Sequence, residues 1–411
     1  MSLLRKEDKI FKNRFVLSDN YIPEKLLSRD KEIGYIESLV EPVLSSTEPK
    51  SALITGLTGI GKSAVVKSVL NDLKDITDSM EDLNLRVVVV HVNCKLDNTE
   101  TKAILSILNV LDPHHGLSMS GHPTNIYYEK FWEAVSKKRT ALVVMFDEIH
   151  KMKNFDILYH LTRSSQFIVN PQDALIGLIG IANDLNWVEE LDSSIMSSFG
   201  GTNFVFTPYD SEALIEILSA RAALAFRPGV LDEMVIPLCA AYAAQEHGDA
   251  RLALELLEEA GACAKGEGMD KVLEGHVKKA NENLHNEGIY ELVSTLPLHK
   301  KVILASIILL AKRNDKILTG DIEQKYISLC NHIDIDPLTR TSVSKNILKL
   351  EDAGLVMTKK MVEGVRGQPR RVTLRPGQID KMKQALKVDY RFDRIDFGQA
   401  EEQTTLGGLG E

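Results

Sequence analysis

Eight consecutive residues, Gly56-Leu57-Thr58-Gly59-Ile60-Gly61-Lys62-Ser63, constrain this chain more than anything else in it. They satisfy GxxxxGK[ST], and they sit between a β-rich run, Ser51–Thr55, and a helical stretch, Ala64–Leu73. A strand that turns through glycines into a helix curls successive backbone N–H groups around one point, where the helix N-terminus adds its partial positive charge. Lys62 then supplies a cation for β- and γ-phosphates, and Ser63 a hydroxyl for Mg²⁺. The segment Gly56 to Ala64 predicts a phosphate cradle within an α/β domain.

The surroundings fit a parallel sheet flanked by helices. Arg86–Val92, Ala141–Phe146, Ala174–Ile181 and Asn203–Phe206 join Ser51–Thr55 as β-rich runs, separated by amphipathic helical stretches. Their near-continuous branched apolar residues suit strands covered on both faces. From Ser211 to about Gly288 the strand signal vanishes, and Leu252, Leu256, Leu257 and Ala260 recur at helical spacing. A third region opens near Leu292 with a helix, a turn at Thr319-Gly320-Asp321, a second helix over Asp321–Cys330 and a break at Pro337. A third helix within Leu338–Ala353 and two short strands, Leu355–Lys360 and Arg370–Leu374, complete a winged-helix pattern. The expected division is a nucleotide-binding base over 1–207, a helical lid over 208–289, a winged-helix domain over 290–390 and a disordered polar tail over 391–411.

Charge is unevenly placed along the chain. The formal net charge is −9, yet Glu291 to Tyr390 carries 18 Lys/Arg against 11 Asp/Glu, leaving −16 for the remainder. A basic C-terminal module on an acidic body points to a polyanion at that end. The longest apolar run, Val302 to Ala311, is about half the ~20 residues a bilayer demands, and Arg5, Lys6, Glu7 and Asp8 are no signal core. The expected setting is the cytoplasm, on the nucleoid, with no membrane partner. Cys94, Cys239, Cys263 and Cys330 lie far apart without metal-type pairing and read as buried free thiols.

A second phosphate-directed element is Leu142-Val143-Val144-Met145-Phe146-Asp147-Glu148, an apolar strand ending in two acids, which looks like a Walker B motif. In that role Asp147 holds the Mg²⁺ shell with Ser63, and Glu148 polarises the attacking water. A strand ending Gly180-Ile181-Ala182-Asn183-Asp184 follows, and Gly248-Asp249-Ala250-Arg251 stands in the helical region. That order resembles the AAA+ class over nearly the whole chain. The resemblance places Asn183 as a sensor of the γ-phosphate and Arg251 as the lid arginine that reaches back to it.

Within that class the chain resembles the archaeal replication-origin initiators related to the eukaryotic origin recognition complex and its helicase-loading partner. Tyr21-Ile22-Pro23-Glu24-Lys25-Leu26-Leu27-Ser28-Arg29-Asp30 is similar to the family's adenine-contacting entry segment, and Phe206-Thr207-Pro208-Tyr209-Asp210 to its strand-to-lid junction. Leu296-Pro297-Leu298-His299-Lys300 resembles the opening of its winged-helix domain. Ile22, Pro23, Arg29 and Tyr209 thus join the expected ATP/ADP contacts. What the resemblance implies is slow ATP hydrolysis as a switch, with double-stranded origin DNA, a replicative helicase and other initiator copies as partners.

For DNA, Val343, Ile347 and Leu350 mark an apolar stripe, leaving Ser342, Lys345, Asn346 and Lys349 on other faces of a recognition helix. The wing tip offers Arg366, Gly367, Arg370 and Arg371, suited to phosphate or minor-groove contact. The resemblance adds an ATPase-domain insertion at about Pro113–Tyr127. Gln403-Thr404-Thr405-Leu406 lacks the aromatic pair of a sliding-clamp peptide and reads as plain tail. One departure is notable: relatives carry Asp-Pro-Arg-Val-Lys-Ser-Ser where this chain has Asp192-Ser193-Ser194-Ile195-Met196-Ser197-Ser198, so Ser194 replaces an arginine that could act on a neighbour's ATP. A transcription regulator that uses ATP as a ligand and hydrolyses little is the alternative reading. A clamp-loader or transposition-helper ATPase fits less well, since such proteins need not carry this basic winged helix.

Overall fold

The five β-rich runs assemble into one parallel sheet in the computed structural model. It describes residues 8–397, apart from 19, 20, 22, 24, 81–83, 120, 164, 165, 168, 169, 171, 172, 185, 186, 189, 190, 202, 312–316, 361–369, 375 and 394. Strands β1 (Ala52–Thr55), β2 (Arg86–Asn93), β3 (Thr140–Asp147), β4 (Ala174–Ala182) and β5 (Asn203–Val205) run in the order β2-β3-β4-β1-β5.

Alternation of side chains divides the core into two layers. Leu142, Val144 and Phe146 of β3 pack with helices α3 (Glu100–Leu111), α4 (Thr124–Ser136) and α5 (Asp156–Leu161). Ala141, Val143 and Met145 pack on the opposite face with α1 (Asp30–Val40) and α2 (Lys62–Ser79). Both faces of the central strands β1, β3 and β4 are covered, which is why these read as unbroken apolar runs, whereas the edge strands β2 and β5 keep exposed residues. The register aligns Thr55 with Ala182 and Asn93 with Asp147, so Gly56, Asp147 and Asn183 leave the sheet at its carboxyl side. Open parallel sheets bind ligands at that side.

A short helix α6 (Ser193–Ser198) carries the exposed Ser194. Helices α7 (Ser211–Ala225), α8 (Val235–Gln245) and α9 (Ala250–Gly266) make up the lid. Asp210 caps α7 through Ala213 N–H at 2.8 Å, and Asp249 caps α9 through Arg251 N–H at 2.8 Å. The N-terminal segment is fastened to these helices: Phe11 bridges Phe226 with ring centroids 4.8 Å apart, and Lys265 Nζ meets Asp8 at 2.6 Å. Sheet and lid belong to one unit, residues 1–278.

Residues 279–411 form a second unit, which α10 (Glu274–Thr295) enters. Helices α11 (Leu298–Ala311), α12 (Thr319–His332), α13 (Arg340–Asp352) and α14 (Ile379–Leu386) enclose a core that includes Ile303, Ile307, Tyr326, Ile347 and Leu350. The wing is three-stranded, not two: β6 (Ile317–Leu318), β7 (Met357–Lys360) and β8 (Arg370–Thr373) pair in the antiparallel order β6-β8-β7. Two residues are too few to register as an alternating pattern. The turn expected at Thr319–Asp321 is instead the first turn of α12, because Asp321 Oδ2 accepts the Leu318 N–H at 3.1 Å and so starts the helix earlier. All four cysteines are buried. Among the described residues, no helix is long and apolar enough to cross a membrane.

Candidate nucleotide site and nucleic-acid face

The loop after β1 turns through Gly56, Gly59 and Gly61 at φ of +147°, +77° and +86°. Space forbids a side chain at each. A Cβ on Gly56 would lie 2.7 Å from Ile60 Cδ1, one on Gly61 would lie 2.9 Å from the Tyr209 hydroxyl, and one on Gly59 would collide with the Asp249 carboxylate. Helix α2 opens at Lys62 with Gly61 left-handed before it, leaving the free N–H groups of its first turn at the loop. Lys62 is buried, and its ammonium donates to the carbonyls of Gly56 at 2.8 Å and Leu57 at 2.5 Å. Burial, reinforced by Arg251 and Arg29, pulls it down to about 8 against the pull of Asp147 and Asp249. Two neutral carbonyls hold this buried ammonium, no carboxylate among the described residues is in ion-pair contact with it, and a phosphate would fit beside it.

Asp147 ends β3 beside this loop. Its Oδ1 accepts from Ser63 Oγ at 2.9 Å and from Glu148 N–H at 3.1 Å, while Oδ2 lies 3.5 Å from His91 Nε2. Burial would raise the carboxyl, but the bonds from His91 and Ser63 outweigh it and hold Asp147 below its ordinary value. An ionised carboxylate touching a hydroxyl is a hard oxygen pair of the kind Mg²⁺ takes. Glu148 adopts the left-handed region at φ +52°, rare outside glycine, and turns into the cavity wall with Asn183.

The cavity measures about 380 Å³. Thr58, Gly59, Gly61, Lys62, Ser63 and Ala64 line it, and so do Asp147, Glu148, Asn183, Pro23, Tyr209 and Arg251. Ile22 falls outside the described residues. Gly56, Leu57, Ile60 and Arg29 stand outside the lining. Arg29 is buried behind the loop, donating to the carbonyls of Ile60 at 2.8 Å and Thr207 at 3.0 Å, paired with Glu32 at 2.6 Å and stacked 3.7 Å from the Tyr209 ring centre. It braces the loop and does not face the cavity. The lid meets the loop directly, since Ala250 N–H donates to the Gly59 carbonyl at 3.2 Å.

Sequence reasoning missed several lining residues. Ile217, Ala220, Arg221 and Leu224 of α7 present one face to the cavity, and their i, i+3, i+4, i+7 spacing was the available signal. Arg221 donates to the carbonyls of Val16 at 2.7 Å and Tyr21 at 3.2 Å and lies 4.6 Å from the Tyr21 ring centre. Tyr21 and Lys67 also line the cavity.

On the winged-helix unit, α13 buries Val343, Ile347 and Leu350 and leaves Lys345 and Lys349 exposed. Ser342 and Asn346 are half-buried, the latter donating to the Ser342 carbonyl at 3.0 Å. An exposed cation that the sequence reasoning passed over, Arg340, opens the helix and pairs with Glu323 at 3.2 Å. Arg366 and Gly367 fall outside the described residues, as does Gln403–Leu406. Arg371 is half-buried on β8 between Leu318 and Lys359. Arg370 turns into the fold, its Nη1 donating to Thr358 Oγ1 at 3.0 Å, because an acid of α13 stands behind that hydroxyl. In the insertion, Thr124–Tyr127 is already helical, and Tyr127 donates to the Ser118 carbonyl at 2.6 Å.

Residues 46–185 match the AAA domain family, 215–282 the Cdc6 AAA+ ATPase-type lid domain and 291–384 the CDC6 C-terminal winged-helix domain. The chain is 39% identical over 388 residues to the ORC1-type DNA replication protein of Pyrococcus furiosus, covering 93% of this chain and 91% of that protein. It is 37% identical over 397 residues to ORC1-type DNA replication protein 1 of Methanosarcina acetivorans, covering 95% and 94%. Its structure resembles the Aeropyrum pernix ORC1 protein, solved in complex with DNA, with a TM-score of 0.78 at 34% identity over 95% of this chain and all of that one, 100%.

Proposed function

The chain belongs to the archaeal ORC1-type DNA replication proteins of the AAA+ class, and we propose that within this family it is an origin-binding initiator switched by slow ATP hydrolysis. One observation carries the reading: a buried ammonium, Lys62, and a Ser63–Asp147 oxygen pair face one cavity whose wall includes the lid arginine, Arg251.

Lys62 holds the β- and γ-phosphate oxygens of ATP or ADP, with the N–H groups of Gly59 to Ala64 around them. Ser63 and Asp147 would hold Mg²⁺, which when bound neutralises charge on the phosphate oxygens. Glu148 takes the hydrogen bond of the attacking water and polarises it, and Asn183 orients it beside the γ-phosphate. Arg251 pairs with the γ-phosphate from α9, so loss of that phosphate releases the lid. Pro23 and Tyr209, with Ile22, receive the base end, while Arg29 keeps the loop in place from behind.

Lys345, Lys349, Ser342 and Asn346 enter the major groove, and Arg366, Gly367 and Arg371 track the backbone. The Aeropyrum relative was solved in complex with DNA, which supports DNA binding as such. The segment Pro113–Tyr127 adds a second contact. The lid position then decides whether a replicative helicase or another initiator copy is engaged. Footprinting on source-genome DNA tests the reading: protection confined to replication origins and sharpened by ATP is expected, and protection of promoters alone would favour a transcription regulator.

A further inference from the structure

In the winged-helix unit one acidic side chain ties the helix to the wing. Glu351 stands in the last turn of α13, and Thr358 of β7 occupies both its oxygens: Oε1 accepts the Thr358 backbone N–H at 2.9 Å and Oε2 the Thr358 hydroxyl at 2.8 Å. The same hydroxyl accepts from Arg370 Nη1 at 3.0 Å, and that nitrogen is 3.8 Å from Glu351 Oε2. Arg370 opens β8, and its backbone N–H reaches Thr319 Oγ1 of α12 at 3.4 Å. One hydrogen-bonded knot therefore joins α13, β7 and β8.

Attraction for DNA alone would not place an acid here. Glu351 lies within one turn of the exposed Lys349, where an approaching phosphate repels it, and a carboxylate near a helix C-terminus opposes the helix dipole. What it contributes is geometric. Its charge-assisted bonds lie in a half-buried setting, with side-chain exposures of 31% for Arg370 and 32% for Glu351, where they are screened less than on open surface. Arg370, for its part, has one guanidinium nitrogen, Nη1, engaged in the knot.

We propose that Glu351, Thr358 and Arg370 are positioning residues for DNA binding. They fix the wing against the recognition helix so that both meet one duplex together, and Arg370 acts through the knot without contacting a phosphate. Two binding sites held in register bind far better than the same sites on a loose hinge. The proposal rests on the reading of α13 and the wing as the DNA-binding face.

The experiment measures affinity of the full chain for a mixed-sequence DNA duplex across a salt series. Glu351→Ala is expected to weaken binding about tenfold, although it deletes a negative charge from a DNA-facing unit. Arg370→Ala should lose about as much with an unchanged salt slope, and the double variant should lose no more than either single one. Thr358→Val, which keeps side-chain shape and the backbone N–H to Glu351 but deletes the hydroxyl, should show a clear part of the loss, and Glu351→Gln, which keeps an acceptor for that N–H, should likewise recover part of it. Tighter binding by Glu351→Ala, wild-type binding by Thr358→Val, or a slope lowered by about 0.9 in Arg370→Ala with additive losses would overturn the proposal. Lys345→Ala combined with Lys349→Ala separates the layers: no loss there brings down the DNA-binding reading itself, whereas loss there with wild-type behaviour at Glu351 and Arg370 overturns the knot alone.

Discussion

Ala250 and Gly59 share a hydrogen bond, the lid residue donating its N–H to the loop carbonyl at 3.2 Å. The first turn of α9 is thereby fastened to the phosphate loop, with the Asp249 carboxylate lying against Gly59 and capping the helix. A ligand that rearranges one is then expected to move the other, which is the coupling the proposed nucleotide switch needs.

Gly59→Ala tests that coupling. The added methyl would displace Asp249 and uncap α9 at a cost of about 1 kcal/mol, besides straining the backbone at φ +77°. Nucleotide affinity by calorimetry should fall at least tenfold, and protease cleavage of the lid should lose its dependence on nucleotide. Wild-type affinity with nucleotide-dependent protection would show that the two parts are not coupled through this hydrogen bond.

Lys62→Ala and Glu148→Gln should separate binding from turnover. The first removes the buried cation proposed to hold the phosphates, and nucleotide affinity should drop at least about 100-fold. The second keeps the loop and the Ser63–Asp147 pair, so affinity should stay within about threefold while turnover falls about 100-fold or more. Loss of affinity in Glu148→Gln would move that residue from hydrolysis to binding.

The depressed Lys62 predicts a pH dependence with a definite sign. Bound phosphates keep the ammonium charged, and below about 8 the free protein already carries that proton, so affinity is flat there. As pH rises from about 8 toward the ordinary 10.5, binding must take up a proton, and affinity falls by up to about tenfold per unit. In the free protein the stability effect runs the other way: keeping the buried group charged costs stability below about 8, and the cost is relieved above it. Calorimetric titrations between pH 7 and pH 10, with protons released or absorbed read from buffer dependence, check the first part, and unfolding of the free protein across the same range checks the second. Flat affinity throughout would contradict the lowered titration of this lysine.

The phosphate loop was legible because its chemistry is contiguous: strand, glycines, Lys62 and helix lie within one short stretch. The sheet strands were found to within a residue or two for the same local reason. Arg29 belongs to the entry segment and so looks like a nucleotide contact in sequence, yet a guanidinium that satisfies two loop carbonyls and an acid is most stable buried behind the loop. Arg221 and His91 were missed because they reach the site only through tertiary packing. Arg370 looks like an open cation in sequence since its partners, Glu351 and Thr358, are distant in the chain.

The proposed DNA face predicts two distinguishable responses. Replacing Lys345, Lys349 and Arg371 by Ala should lower the slope of log affinity against log salt by about 0.9 for each phosphate left without its cation. Asn346→Ala should instead change sequence preference by about 1–3 kcal/mol at one base pair and leave the slope alone. Electrophoretic or fluorescence titrations on specific and scrambled duplexes measure both. Equal losses on all sequences for Asn346→Ala would count against base readout.

Ser194 is exposed on α6, and no lysine or arginine lies between Leu185 and Ala220. An arginine acting on a neighbour's ATP is worth about 10³–10⁵ in turnover where one operates, and this segment has none to offer. Hydrolysis should therefore be a slow event within one chain, coupled to the lid by Arg251. The decisive measurement is ATP turnover per protomer as protein concentration rises, with and without origin DNA. A slow rate that stays flat with concentration, and that Arg251→Ala uncouples from any DNA effect, is the expected result. A steep rise with concentration would show that a neighbouring copy supplies catalytic charge in trans, and it would contradict a switch contained in the single chain.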